Sequence, residues 1–326
     1  MIADIVVGLG WGDESKGKIT HHLLSQNDYT HCIRYNGGCN AGHTIFHEGK
    51  KFVTHHIPAG VFYGVASIIG SGCVLNKTQF FKEIKMLEAG GVDCTGLVKI
   101  ASNTHIITDS HLSEDGTDTA IGTTRTGNGP AYRDKYSRDG VRAESDPDLA
   151  EYIVDMYTEL HKKKNTVALF EGAQGFGLDI DWGDYPFVTS SHCTTAGAML
   201  NGIPPRAVRD VWGVAKCYET YVGAKSFEPD SEIFTKIRDV GNEYGATTGR
   251  PRQCNWLSMV DLKRAAIVNG VNHIVISKID VLREVDEWRV RRPNVSFDNE
   301  YDFKKFITNT FDSSMTFHFS DNPYTI

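Results

Sequence analysis

An α/β fold, P-loop-like, with a mostly parallel central sheet flanked by helices and long active-site loops, is the architecture that this sequence predicts. Three observations predict it. Short β-branched apolar runs alternate with helix-period segments along the 326 residues, the pattern of strand–helix–strand units. Glycine-rich stretches follow several of those runs, at the strand carboxyl ends where parallel sheets carry ligands. No internal repeat, low-complexity tract or Pro/Ser-rich linker interrupts the chain, so it reads as a single domain over 1–326.

The elements follow in order. Ile5 to Leu9 is the first strand, and "KGKITHHLLSQ" is a helix that starts inside the glycine loop, with Ile19, Leu23 and Leu24 on one face. "HCIRYNGG" is a second strand running into a second glycine loop. "KTQFFKEIKMLEAGG" is an amphipathic helix with a glycine stop. "ASIIGSGCVL", "NTVALFEGAQG", "VWGVAKCYE" and "HIVISKIDVL" supply further strands. "IGTTRTGNGPAYRDKYSRDGVRAESD" is polar, glycine-rich and long, and reads as a functional loop. The segment from about Asn294 is polar and aromatic and carries no clear pattern.

Composition narrows the function. Hydrophobic residues at 40% and charged residues at 23% are ordinary for a soluble globular protein. A net charge of -7 disfavours a nucleic-acid or anionic-membrane surface, while leaving room for a local basic pocket. The seven cysteines are scattered, odd in number and without a C-x-x-C pair, which argues against a zinc site or disulfide framework and for a reducing, cytoplasmic setting. The first residues lack a basic n-region and read as a buried strand rather than a signal peptide.

The chemistry lies in the loops. "GWGDESKGK" has the glycines and lysines of a phosphate cradle without the spacing of the common P-loop. Gly10, Gly12 and Gly17 allow close backbone approach, and Lys16 and Lys18 add charge near a helix start. Asp13 could hold Mg²⁺, act as a base, do both, or simply cap the turn. "NGGCNAGHT" places His43 beside Asn40 in a loop that should lie next to the first. "GTTRTGNGPAYRDKYSR" offers Thr123, Thr124, Arg125, Arg133, Lys135 and Arg138, suited to a phosphate monoester or to a solvated loop. "FEGAQG" presents Gln174 at a strand end, and "VTSSHCTTAG" presents Thr189. In "GATTGRPRQ", Arg250 and Arg252 form a compact anion clamp that suits a dicarboxylate. "SKID" resembles the base-recognition motif of GTP-binding proteins, placed after a strand as it should be.

Taken in order, "WGDESKGK", "NAGHT", "GTTRTGNGPAYRDK", "LFEGAQG", "DIDWGDYPFVTSS", "GATTGRPR" and "SKIDVL" resemble adenylosuccinate synthetase over roughly Ile5 to Leu282. The resemblance implies a ligase that joins L-aspartate to the six-position of a purine nucleotide, driven by nucleoside triphosphate cleavage with Mg²⁺. It implies Asp13 as base and metal ligand, His43 as general acid, and the Gly42 carbonyl as the other protein ligand to the metal. Asp13, Glu14, Ser15 and Lys16, with Asn40, Ala41, Gly42 and His43, would contact the substrate nucleotide, as would Thr124, Arg138, Gln174, Thr189 and Arg250. Arg138 would reach across a homodimer interface. Ala246, Thr247, Thr248, Gly249, Arg250, Pro251 and Arg252 match the aspartate loop. The triphosphate would meet Gly12, Asp13, Lys16, Gly17, Lys18, Gly42, His43, Thr44 and Arg252, and its base would meet Lys278 and Asp280.

Three departures from the family pattern refine the expectation. Ser15 stands where the family has glycine in GDEGKGK, Cys39 stands for the first histidine of GGHNAGHT, and "FSDNPYTI" replaces a glycine-containing S-x-G-P-D-R-like stretch. The chain is also short for the family. A Ser15 hydroxyl could accept from a purine 2-amino group. The chain is therefore similar to a compact bacteriophage branch, the 2-aminoadenylosuccinate synthetases, which act on dGMP with ATP. The expected function is aspartate ligation to dGMP, in the host cytoplasm if phage-encoded. The alternatives are an ordinary synthetase using IMP and GTP, and a non-catalytic nucleotide-binding relative.

Overall fold

The computed structural model describes residues 1–40, 42–117, 122–245, 249–322 and 326. A nine-stranded sheet forms the centre. Its order is Thr316–Phe319, His273–Ser277, Val208–Lys216, Ile2–Gly8, Val167–Glu171, His31–Arg34, Ala66–Ile69, Val98–Ala101 and Ile153–Val154. Every one of these pairings is parallel. The central strand begins earlier than its apolar run suggests, because Ile2 and Ala3 already pair with Val167 and Ala168.

Burial on both faces explains the nearly continuous apolar strands. Side chains alternate across the sheet. Ile5 and Val7 enter the core beneath helix Met259–Asn269, whereas Val6 enters the core with Ile19, Leu23 and Leu24 of helix Lys16–Gln26. The latter helix has the predicted bounds. Helix Lys77–Ala89 also forms as predicted and is capped by the Asn76 side chain, which accepts from the Gln79 N–H at 2.9 Å.

Two expectations change. The long polar stretch is not all loop, because Asn128–Ser137 is a helix. Its only buried apolar side chains are Ala131 and Tyr132, too few to give a sequence signal. Contacts from distant residues fix it instead. The Asp115 carboxylate accepts from Gly127 N–H at 2.7 Å, and the Tyr132 hydroxyl accepts from Gly37 N–H at 3.0 Å. The helix thereby buttresses the second glycine loop. Arg133 and Lys135 leave the phosphate-binding set as a result. Arg133 pairs with Glu114 and Asp134, and Lys135 donates to the Ser71 carbonyl at 2.6 Å.

The C-terminal region is ordered secondary structure rather than pattern-free chain. It contributes helix Glu300–Asn309 and the edge strand Thr316–Phe319. A four-stranded sheet of Tyr218–Tyr221, Gln253–Ser258, Trp288–Arg291 and Val295–Phe297 sets the position of Arg252, one residue before its second strand. All seven cysteines are free thiols, as expected. Among the described residues no helix is long and apolar enough to cross a membrane.

Replacing Asn76 with alanine removes the cap of helix Lys77–Ala89 and should cost about 1 kcal/mol of stability in urea unfolding.

Candidate active site

The loops after the central strands converge at one end of the sheet. After Gly8 the chain turns through Gly12 at φ 91° and Asp13 at φ 58° into helix Lys16–Gln26. Glu14 organises this turn. Its Oε1 accepts from Gly12 N–H at 2.7 Å and Gly10 N–H at 3.2 Å, and its Oε2 takes the Lys16 ammonium at 2.5 Å. Both charges are buried. Packing around this carboxylate is tight. A Cβ on Gly8 would lie 2.6 Å from Glu14 Oε2, and one on Gly175 would lie 2.5 Å from Oε1. Glu14 is therefore the tie that shapes the turn.

Asp13 is the other acid and behaves differently. Its side chain is half-exposed, and its Oδ2 lies 2.9 Å from Arg252 Nε. Arg252 in turn donates to Glu243 at 2.6 Å, and buried Glu243 also receives the Lys216 ammonium at 2.8 Å and the Tyr218 hydroxyl at 2.7 Å. Burial would raise the Glu243 carboxyl, but Lys216 and Arg252 outweigh it and hold it at about 2. Arg252 is thus committed to two carboxylates, while Arg250 is exposed. The two arginines thus stand in separate environments. Ala246, Thr247 and Thr248, like Ala41, lie outside the described residues.

His43 opens strand His43–His47 and lies against the first loop, since a Cβ on Gly17 would sit 3.3 Å from His43 Cβ. The imidazole is buried. Its Nδ1 makes a close contact with Glu171 Oε1, and its Nε2 is 2.9 Å from Arg34 Nη1. Burial, then Arg34, lower its pKa to about 4 despite the pull of Glu171. Glu171 is held at about 2, because Arg34 and His43 together overcome the burial that would raise it. Neither Arg34 nor Glu171 was singled out from the sequence. The available signal was a charge inside each of two apolar strands, "HCIR" and "VALFE".

The substrate-nucleotide candidates partly assemble. Gln174, in the left-handed region at φ 56°, donates to Asn40 Oδ1 at 3.1 Å and accepts from Asn36 at 3.3 Å. Thr189 is fixed by its N–H to the Leu178 carbonyl at 2.8 Å. Thr124 shares a 2.9 Å hydroxyl contact with Thr126 and is exposed. Cys39 is structural: it packs against Val74, Ile107, Ala131 and Tyr132, and burial raises its thiol to about 11. Arg138 is exposed at the far end of helix Asn128–Ser137.

The Lys18 ammonium reaches the end of the C-terminal strand. It donates to Ser320 and, at 2.6 Å, to the Asn322 carbonyl. Burial lowers it to about 8 against the attraction of Asp280 and Asp321. It therefore joins Lys278 and Asp280 of "SKID", and Lys278 donates to the Gly241 carbonyl at 2.8 Å. Ser15 has φ 77° and makes no side-chain cap. A non-glycine residue there carries backbone strain. Ser15→Gly should raise stability by up to about 1 kcal/mol, read as a higher melting temperature.

The family model for adenylosuccinate synthetase matches residues 5–146 and 143–292. The adenylosuccinate synthetase of Salinibacter ruber is 37% identical over 353 residues, covering 89% of this chain and 80% of the relative. That of Komagataella phaffii is 36% identical, covering 89% and 81%. Among solved structures, the fully ligated adenylosuccinate synthetase of Plasmodium falciparum superposes with a TM-score of 0.78 at 32% identity, covering 87% of this chain and 78% of that one. The succinoaminodeoxyadenylate synthetase of cyanophage S-2L, bound to dGMP and dATP, gives a TM-score of 0.79 over 99% of this chain and 93% of that one. Its 20% identity is a likeness of fold alone.

These relatives overturn the expected reaction on dGMP with ATP. The named sequence relatives, at 36% and 37% identity, are ordinary adenylosuccinate synthetases. Ser15, the altered "FSDNPYTI" stretch and the short chain carried that expectation, and none of them outweighs the likeness to these relatives. The chain belongs to the adenylosuccinate synthetase family and is a ligase that forms a C–N bond.

Proposed function

We propose that this protein joins L-aspartate to C6 of IMP at the expense of GTP, giving adenylosuccinate. The observation that carries the reading is the apposition of the Asp13 turn and the His43 strand across Gly17. It brings together a half-exposed carboxylate, a lysine and a histidine beside one phosphate-shaped loop. The relatives named above support the same substrates.

The six-oxygen of a purine is a poor leaving group. Asp13 takes the N1 proton, so negative charge gathers on O6. That oxygen attacks the γ-phosphorus, and the bond to the β-phosphate bridging oxygen breaks. Lys16, held by Glu14, and His43 serve to stabilise charge on the transferring group. The aspartate amine then displaces the six-phosphoryl group as phosphate. The loop containing Gly249, Arg250 and Arg252 receives the aspartate carboxylates. Lys278 packs on the guanine of GTP, and Asp280 accepts from its N1 and N2 groups.

The Asp13 carboxylate and Gly42 carbonyl would hold Mg²⁺. These hard oxygen donors, one of them half-exposed, fit an ion that keeps most of its sites for phosphate and water. When bound, the ion neutralises phosphoryl oxygens. The cluster Asp179, Asp181 and His192 suits it less, because both Asp179 oxygens already accept backbone N–H groups, including Cys193 and Asp181. We further propose that the chain works in the cytoplasm as a single domain and a homodimer, with the exposed Arg138 serving the partner's site.

A matrix of IMP, GMP and dGMP against GTP and ATP tests the substrates. Aspartate-dependent phosphate release should be fastest with IMP and GTP, and Ser15→Gly should leave that preference in place. Preferred turnover of dGMP would sink the reading. Asp13→Asn should lower kcat by roughly 10²–10⁴. Mixing it with an Arg138→Leu variant should restore part of the activity through hybrid dimers, and two inactive parents that stay inactive together would count against the shared site.

A further inference from the structure

Arg34 and Glu171 end neighbouring strands and stand directly opposite each other in the sheet. Both are fully buried, and Arg34 Nη2 lies 3.3 Å from Glu171 Oε1. His43 bridges them, with Nε2 at 2.9 Å from Arg34 Nη1 and Nδ1 against Glu171 Oε1. A guanidinium has donors only. Nε2 must therefore present its lone pair to Arg34, and the single proton of a neutral imidazole must reside on Nδ1, facing the carboxylate. The second Glu171 oxygen is fixed by Ala59 N–H at 3.0 Å. Nε2 of His43 is thus taken by Arg34 and Nδ1 lies against Glu171, two groups that the sheet register holds in place.

We infer that Arg34 is a positioning residue for His43: by donating to Nε2 it holds the ring in the Nδ1–H tautomer, turned into the sheet. The inference rests on the role proposed above for His43. Arg34 acts through the histidine and not on the nucleotide. The resting ring has no N–H directed at the phosphate loop, because Arg34 occupies Nε2 and Nδ1 lies against Glu171.

The test uses the full chain labelled with ¹⁵N-histidine, without nucleotide and at one fixed pH. The His43 signals are assigned by their loss in His43→Gln. The expected spectrum shows a protonated Nδ1 and an unprotonated Nε2. Arg34→Lys, which still offers only donors, should keep that tautomer, whereas Arg34→Met should lose it. In steady state Arg34→Met should change kcat while KM for IMP stays within about twofold, as expected for a group that does not touch substrate. A wild-type His43 carrying its proton on Nε2 overturns the inference, and that measurement stands even if Arg34→Met does not fold. An Arg34→Met protein with wild-type tautomer and wild-type kcat overturns it equally. The tautomer is read without turnover, so a failure of the proposed reaction would be seen separately, as missing aspartate-dependent phosphate release.

Discussion

A buried arginine and a buried glutamate, side by side at the ends of two adjacent strands, fix the geometry of this site. Each charge would be costly in the interior alone, and together they tolerate burial because the sheet register holds them in contact. Glu171 also secures the Ala59 N–H, which opens the 3-10 turn Ala59–Tyr63, and the pair as a whole fixes His43. Removing one partner would leave an uncompensated charge in the core, so strand register, ring orientation and the protonation of His43 are a single problem with a single solution.

The phosphate turn solves a related problem with a different acid. Glu14 is spent on structure, tying two glycine N–H groups and Lys16, so the lysine is aimed without wandering. Asp13 beside it is left half-exposed and paired with Arg252, whose other face is anchored by the Glu243–Lys216 network. Adjacent carboxylates thus take opposite tasks, because one points into the turn and the other out of it. The backbone is left-handed at Asp13 and at Ser15, on either side of Glu14.

Much of this was legible beforehand. Helix Lys16–Gln26 and helix Lys77–Ala89 carry their own apolar stripe and end signals, and the parallel strands carry β-branched runs. The catalytic candidates Asp13 and His43 were visible because glycine loops advertise where a backbone approaches a ligand. Helix Asn128–Ser137 was not visible, since it is held by Asp115 and by Gly37 against Tyr132 rather than by its own apolar face. The substrate reading from Ser15 failed for a related reason. A hydroxyl is a local fact, whereas base preference belongs to a whole pocket.

The sequence by itself determined the α/β order, the loops that carry chemistry and the family, because hydrophobic period, glycine freedom and motif order are local properties of the chain. Only the tertiary structure decided how the charges are divided: Glu14 to the turn, Arg252 to Asp13, Lys18 to the C-terminal strand's end, and Arg34 with Glu171 to His43. The reason is that burial and partner identity fix what an ionisable group does, and both come from strands and loops far apart in the chain that meet only when the sheet closes its register.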